Sequence, residues 1–286
     1  MNMIGKLGEF SLKAMLYEIS SYPSPGLVSP VSSGAHRDMD YFTFLNSISS
    51  LDPYMYKFAK AGYCDKSPKE IFKDIREIGK DAEKVMLEST KGINTHKGMI
   101  FLMGISLAAS SKAIYEHKEF DYISTVIKQM TEGIVQSELL NKNASEKCTY
   151  GEKIFDKYGI TGVRGEVEEG LPIIFEKSLK YYREKEYLTE KDRLVQTLVY
   201  IMCYCEDTNI LHRRSMEKLT YVHEAAREAI ELGGVETIEG RAEIENLDYK
   251  FSKEGISPGG SADLLAITVY FSLLKDFMEK EELDEK

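Results

Sequence analysis

The chain has 286 residues, of which 43% are hydrophobic and 29% charged, and its formal net charge is −10. Such a composition suits a globular protein with ample material for a core and excludes extensive disorder. The acidic balance excludes a broad basic face, so no nucleic-acid partner is expected, although a small polyanion needs only a few well-placed cations.

The four cysteines, Cys64, Cys148, Cys203 and Cys205, are few and irregularly spaced. They make no disulfide framework and no credible zinc motif, and are expected to be reduced, mostly buried thiols. Residues 1–10 are polar and glycine-bearing, unlike a secretory signal. The apolar stretch 99–109 is interrupted by Gly104 and Ser106 and is too short to span a bilayer. A soluble, cytoplasmic protein with no membrane partner is expected.

In chain order, residues 12–19 carry the first helical stripe. Residues 22–40 form a loop rich in proline, serine and glycine. Ser67-Pro68-Lys69-Glu70 is a helix start by chemistry: serine caps, proline suits the first turn, and glutamate reaches back to the cap. Ile71, Ile75, Ile78, Ala82 and Val85 then make one apolar stripe. After Asn94-Thr95-His96-Lys97-Gly98 comes a helix, Lys97–Tyr115, apolar nearly all round and therefore expected at the centre of the molecule. Residues 122–140 read as one helix. Thr189 starts another, with a stripe of Leu194, Leu198, Ile201, Met202 and Cys205. Residues 215–232 and 264–278 complete the set. No alternating strand pattern, internal repeat or linker stands out. The expected fold is all-α, a single multi-helix bundle-like domain over residues 1–286, with a buried central helix and an active site built from loops at helix ends.

Five connections carry the chemistry, where loops on a rigid scaffold usually place function. In Gly34-Ala35-His36-Arg37-Asp38-Met39-Asp40, Asp38 and Asp40 are suited to share a divalent cation, and His36 to move a proton near neutral pH. The plain alternative is helix capping by Asp38 with a structural histidine. The string His36-Arg37-Asp38 also occurs in protein kinase catalytic loops, but Thr43 stands where the kinase asparagine belongs. In the second connection Asn94 or Thr95 caps the central helix, and Lys97 sets a cation beside amides suited to phosphate; otherwise this is a capped helix with a solvated lysine. Arg164, between Gly162 and Gly165, is free for bidentate phosphate contact, with Glu166 at a helix start. Asp207 and Asn209 are plain turn residues unless His212 and Arg213 recruit them to a site. Ser257-Pro258-Gly259-Gly260-Ser261-Ala262-Asp263 opens the last helix with amides suited to phosphate, and Asp263 suits a helix dipole or a bridging cation; a capped glycine loop is the alternative. His117 and His223 read as surface residues. The 18 tyrosines suit packing or adenine stacking.

Together these blocks resemble the triphosphoribosyl-dephospho-coenzyme A synthase family. The matching strings are Pro25-Gly-Leu-Val28, Gly34-Ala-His-Arg-Asp-Met39, Asn94-Thr-His-Lys-Gly98, Arg164-Gly-Glu166, Asp207-Thr-Asn209 and Ser257-Pro-Gly-Gly-Ser-Ala-Asp-Leu-Leu-Ala266. They occur in the family's order. The first loop departs from the pattern, with Ser24 where a lysine is expected and Ser29 and Ser32 near an expected aspartate and asparagine. The resemblance implies attack by a ribose hydroxyl of 3′-dephospho-coenzyme A on the anomeric carbon of ATP. Adenine departs and the triphosphate stays on the transferred sugar. The product is the precursor of the prosthetic group of citrate lyase or malonate decarboxylase, attached later to an acyl carrier protein by a separate holo-transferase.

That chemistry asks for a carboxylate near an oxocarbenium-like centre, an acid for adenine, a base for the hydroxyl, and Mg²⁺ with cations for the triphosphate. The resemblance implies His36, Asp38, Glu166, Asp207 and Asp263 as catalytic residues. Asp38, Asp207 and Asp263 are the implied Mg²⁺ ligands. Arg37, Asn94, His96, Lys97, Arg164, Asn209, Arg213, Gly259, Gly260 and Ser261 are the implied substrate contacts. The oligomeric state stays open, a homodimer included. Two rivals remain: a magnesium-dependent hydrolase of ADP-ribosyl or nucleotide N-glycosidic bonds, and a catalytically impaired nucleotide-binding homologue, which the three serines of the first loop favour.

Overall fold

The computed structural model describes residues 3–140 and 149–284, and within them the protein is all-α. Thirteen α-helices follow one another among the described residues: α1 Met3–Ser20, α2 Tyr41–Gly62, α3 Pro68–Ser89, α4 Lys97–Tyr115, α5 Tyr122–Thr131, α6 Tyr150–Tyr158, α7 Val163–Glu168, α8 Leu179–Glu184, α9 Glu190–Met202, α10 Thr208–Arg213, α11 Met216–Glu231, α12 Ile238–Glu254 and α13 Gly259–Asp284. An isolated bridge between Ser29 and Ser32 is the sole β pairing among these residues.

The centre is α4. It has no polar face to turn outward, and 14 of its 19 residues are buried, so it packs on several sides at once, against α2, α3, α5 and α13. Its 19 residues are long and apolar enough, by length and composition, to cross a membrane. That corrects the estimate made from residues 99–109 alone, but the helices packed round it make it a core helix. Lys112 survives inside it at 4% exposure because its ammonium bonds the Cys64 carbonyl at 3.0 Å and Glu116 at 2.9 Å. The contact with α2 requires Gly62: a Cβ there would stand 2.1 Å from the Ala108 carbonyl oxygen.

The helix starts follow their chemistry. Ser67 caps α3 in a reciprocal capping box with Glu70, and Thr189 caps α9. Asp40 caps α2 through Thr43 at 2.9 Å, so its carboxylate is committed to a helix end and does not share a cation with Asp38. Neither Asn94 nor Thr95 is the cap of α4; His96 holds that position, and Asn94 accepts the Lys97 N–H at 3.1 Å.

Residues 122–140 are not one helix. α5 ends at Thr131, Gly133 takes φ +81°, and a short π-helical segment, Gln136–Leu140, resumes. Helices α2 and α12 were not singled out by periodicity, because α2 carries Pro53 inside it and α12 is charged along much of its length. Cys203 and Cys205 are buried and free, while Cys64 is half-buried. Cys148 lies outside the described residues. His117 is exposed, whereas His223 is half-buried and its Nε2 bonds the Cys205 carbonyl at 2.9 Å, so it fastens α11 to the segment after α9 rather than facing solvent.

Candidate active site

All five connections meet at one cavity of about 1020 Å³. Twelve of the fifteen expected site residues line it: His36, Asn94, His96, Lys97, Arg164, Glu166, Asp207, Asn209, Arg213, Gly259, Gly260 and Asp263. Arg37, Asp38 and Ser261 do not. Arg37 and Asp38 are exposed, and Asp38 reaches back only to within 3.9 Å of His36 Nδ1. Ser261 is 1% exposed and its hydroxyl faces the Cys205 thiol, so it packs beneath the site instead of contacting substrate.

One wall is made by the C-terminal end of α1, the N-terminal ends of α4 and α13, and the start of α10. Asp207 caps α10 by accepting the Asn209 N–H at 2.9 Å, and its second oxygen accepts the Ser261 N–H at 3.0 Å. It thus joins the N-termini of two helices, whose dipoles and amides suit its charge, while burial pushes its pKa the other way, upward overall. This corrects the expected role of the glycine loop: the amide of Ser261 is already taken by Asp207 and is not free for phosphate.

Asp263 lies against the first turn of α4, where a Cβ on Gly98 would stand 2.2 Å from its Oδ2. Only glycine at 98 lets that carboxylate lie there. Burial first, then the negative charges of Glu18 and Asp207, raise the Asp263 pKa well above the usual carboxylate range. Glu18, on α1, also lines the cavity and is 6% exposed; burial raises its pKa to about 8. Glu18 was missed in the sequence, although a signal existed, a carboxylate on the helix face that also buries Ala14, Met15 and Ile19.

Another part of the lining comes from α6, α7 and the loop before α7. There the charges are braced. Arg164 Nε donates to Glu138 at 2.7 Å, and Glu138 also holds Arg76 at 3.0 Å. At the cavity's edge on α4, Lys97 pairs with Glu83 at 2.5 Å. Lys153 and Tyr150 of α6 also line the cavity and had not been singled out. Glu166 accepts the Ile173 N–H at 2.8 Å through Oε1, leaving Oε2 for a proton. Burial, reinforced by Glu169, Glu176 and Glu206, raises its pKa to about 7.

Two histidines are locked. Arg213 Nη1 lies 3.3 Å from His36 Nδ1 and donates to it, so Nε2 carries the ring proton and donates to Ser257 Oγ at 2.9 Å. Burial and the Arg213 charge lower the His36 pKa, and both ring nitrogens are engaged. His36 therefore ties the first loop to the last instead of moving protons. His96 is 2% exposed and neutral, its pKa lowered by burial to about 3. Thr95 donates to Ser47 Oγ at 2.8 Å, and Ser47 donates in turn to His96 Nδ1 at 2.6 Å, leaving Nε2 without a partner among the described residues.

The departures in the first loop leave the cavity walls intact. Ser24 bonds Ser21 at 2.7 Å, the Ser29 N–H donates to the Ser32 carbonyl at 2.8 Å, and Ser32 Oγ accepts the Gly34 N–H at 3.0 Å. All three serve the loop's own shape and none lines the cavity.

The expected metal set of Asp38, Asp207 and Asp263 is not assembled, and no group of three His, Cys, Asp or Glu side chains among the described residues is arranged to hold a metal. The donor chemistry nevertheless fits Mg²⁺ arriving with a triphosphate, since that ion uses one or two carboxylates and takes its other ligands from phosphate and water. Asp263 offers a carboxylate without a protein cation beside it.

Fold and site define a class: an all-helical protein whose helix ends enclose a charged cavity large enough for nucleotide-sized ligands. Comparison makes the class particular. The chain matches the CitG family model, ATP:dephospho-CoA triphosphoribosyl transferase, over residues 4–282, and it belongs to that family of transferases. It is 32% identical over 292 residues to a probable 2-(5′′-triphosphoribosyl)-3′-dephosphocoenzyme-A synthase of Streptococcus mutans, covering 96% of this chain and 98% of the relative. A protein of the same name from Photobacterium profundum is 35% identical over 285 residues, covering 98% of this chain and 90% of the relative. No solved structure matches.

Proposed function

We propose that this protein transfers the 5-triphosphoribosyl group of ATP to a ribose hydroxyl of 3′-dephospho-coenzyme A and releases adenine. Membership of the transferase family supports this. So does the convergence of all five chemistry-bearing connections on one cavity, which is the observation that carries the reading. The hydrolase alternative has no such support.

In this reading a C–O bond forms between the acceptor hydroxyl and the anomeric carbon while the C–N bond to adenine breaks. The proton lost by the hydroxyl is balanced by one gained by adenine. Adenine leaves poorly unless a ring nitrogen is protonated, and Glu166 is the donor, because its acid form is populated near neutral pH. Arg164, Arg213 and Lys97 meet the triphosphate, exchanging or sharing their present partners. His36 and Ser257 hold the first and last loops together around it. The carboxyls of Asp263 and Asp207 line the cavity where, when ionised, they favour positive charge on the sugar. Mg²⁺, when bound, neutralises phosphate charge; Asp263 would hold it, aided by the remaining lone pairs of Asp207. We assign the product to the prosthetic group of citrate lyase or malonate decarboxylase, with a separate holo-transferase acting next, and the working place to the cytoplasm.

The test is incubation with ATP, Mg²⁺ and 3′-dephospho-coenzyme A, following adenine and coupled product by mass spectrometry. Adenine formed in step with the coupled product, and only with both substrates present, is the expected result. Adenine released from ATP alone moves the protein to the hydrolases. No adenine at all supports the impaired homologue.

A further inference from the structure

Glu18 has no role in the reaction as set out above, yet its placement is costly. It sits on the buried face of α1, two residues before the helix ends, beside Ala14, Met15 and Ile19. Its side chain makes no hydrogen bond or ion pair with any described residue, and it lines the cavity. α1 packs along α13, and Glu18 and Asp263 act on one another electrostatically across that contact.

Two buried carboxyl groups facing one cavity without a counter-charge keep their protons until a cation enters to replace them. Among the described residues no cation is paired with either carboxyl group, and Lys153, which also lines the cavity, lies over the Tyr150 ring. Lys97 is held by Glu83, Arg164 by Glu138, and Arg213 stands over His36. The lysines of α1 lie in earlier turns, Lys6 paired with Glu9 and Lys13 over the Tyr17 ring. A hard divalent cation suits two carboxyl oxygens in charge and chemistry. It accepts two carboxylates and keeps its remaining positions for phosphate oxygens and water, so a cluster of three protein ligands is not needed.

We propose that Glu18 and Asp263 together bind the divalent cation directly, Glu18 being the ligand that neither spacing nor family resemblance pointed to. This deepens the transfer reading, and its test needs no substrate, so the two fail separately. Wild-type protein that binds the ion but makes no coupled product would sink the transfer reading alone.

The experiment titrates the full chain with Mn²⁺ in the absence of nucleotide and reads free Mn²⁺ by electron paramagnetic resonance. Wild type is expected to take up one ion. Glu18→Gln weakens uptake about tenfold or more, and Glu77→Gln, on the exposed side of α3, leaves it unchanged. Circular dichroism checks that Glu18→Gln is folded. Should it not fold, Asp263→Asn decides in the same titration. Wild-type affinity in whichever variant is read overturns the proposal, as does absence of Mn²⁺ uptake by the wild-type protein.

Discussion

The two walls of the cavity treat charge in opposite ways. On the α6–α7 side Arg164 is braced by Glu138, which Arg76 holds in turn, and at the edge Lys97 is braced by Glu83. On the α1–α13 side Glu18 and Asp263 face the cavity without a cation, and only Asp207 is compensated, by backbone amides. Braced charges are cheap to keep and wait to be shared with a ligand. Bare carboxyls are pushed towards their acid form by burial, and a protein retains such buried acids where they act on something brought in. The bare wall is therefore where chemistry should be most sensitive and stability least dependent on the side chains.

The largest expected effect tests that contrast directly. Asp263→Asn should keep the fold and lower product formation by about 10²–10³-fold, read by mass spectrometry of the coupled product. A variant that loses its fold instead would mean the carboxylate is structural and the contrast wrong. Next comes Glu166→Gln, expected to cost about 10²-fold in kcat. Because the Glu166 pKa is raised to about 7, its donor form disappears as pH rises through that value. The rate should fall across the same window in the wild type, and the Gln variant should lack that limb.

A stability measurement sharpens the comparison from the other side. The folded-state pKa of Glu18 is raised from 4.5 to about 8, so the folded protein holds a proton that the unfolded chain has released. Its contribution is present below pH 4.5 and is lost as pH rises towards 8, with a slope of at most about 1.4 kcal/mol per pH unit. Glu18→Gln should flatten that part of the profile in urea unfolding, and an unchanged slope would show that Glu18 is not the buried acid described. The smallest effect belongs far from either wall. Asp40→Ala removes the cap of α2 and should lower the urea midpoint slightly, measured the same way.

What could be read along the chain was whatever depends on neighbours in sequence. The Ser67 and Thr189 caps need only residues three positions on, and the bounds of α4 follow from an apolar composition that no amphipathic helix would carry. The five connections announced themselves because glycine, proline and charge cluster there. The roles inside the site were less legible. Asp38 and Asp207 look equally fit to bind a metal in sequence, but one is exposed and the other is spent on two helix ends. Glu18 was visible as a carboxylate on an apolar stripe, but a single acidic residue in a helix is ordinarily solvated, and nothing local says which helix will cover it.

The sequence by itself determined that the protein is helical, that α4 is its centre and that five loops carry the chemistry, because propensity, capping and periodicity act within a few residues. Only the tertiary structure decided which ionisable groups are bare, which are braced, and that His36 and His96 are both locked. Those properties depend on dielectric and on partners far away in the chain: Ser257 lies 221 residues from His36, and Ser261 lies 54 from Asp207.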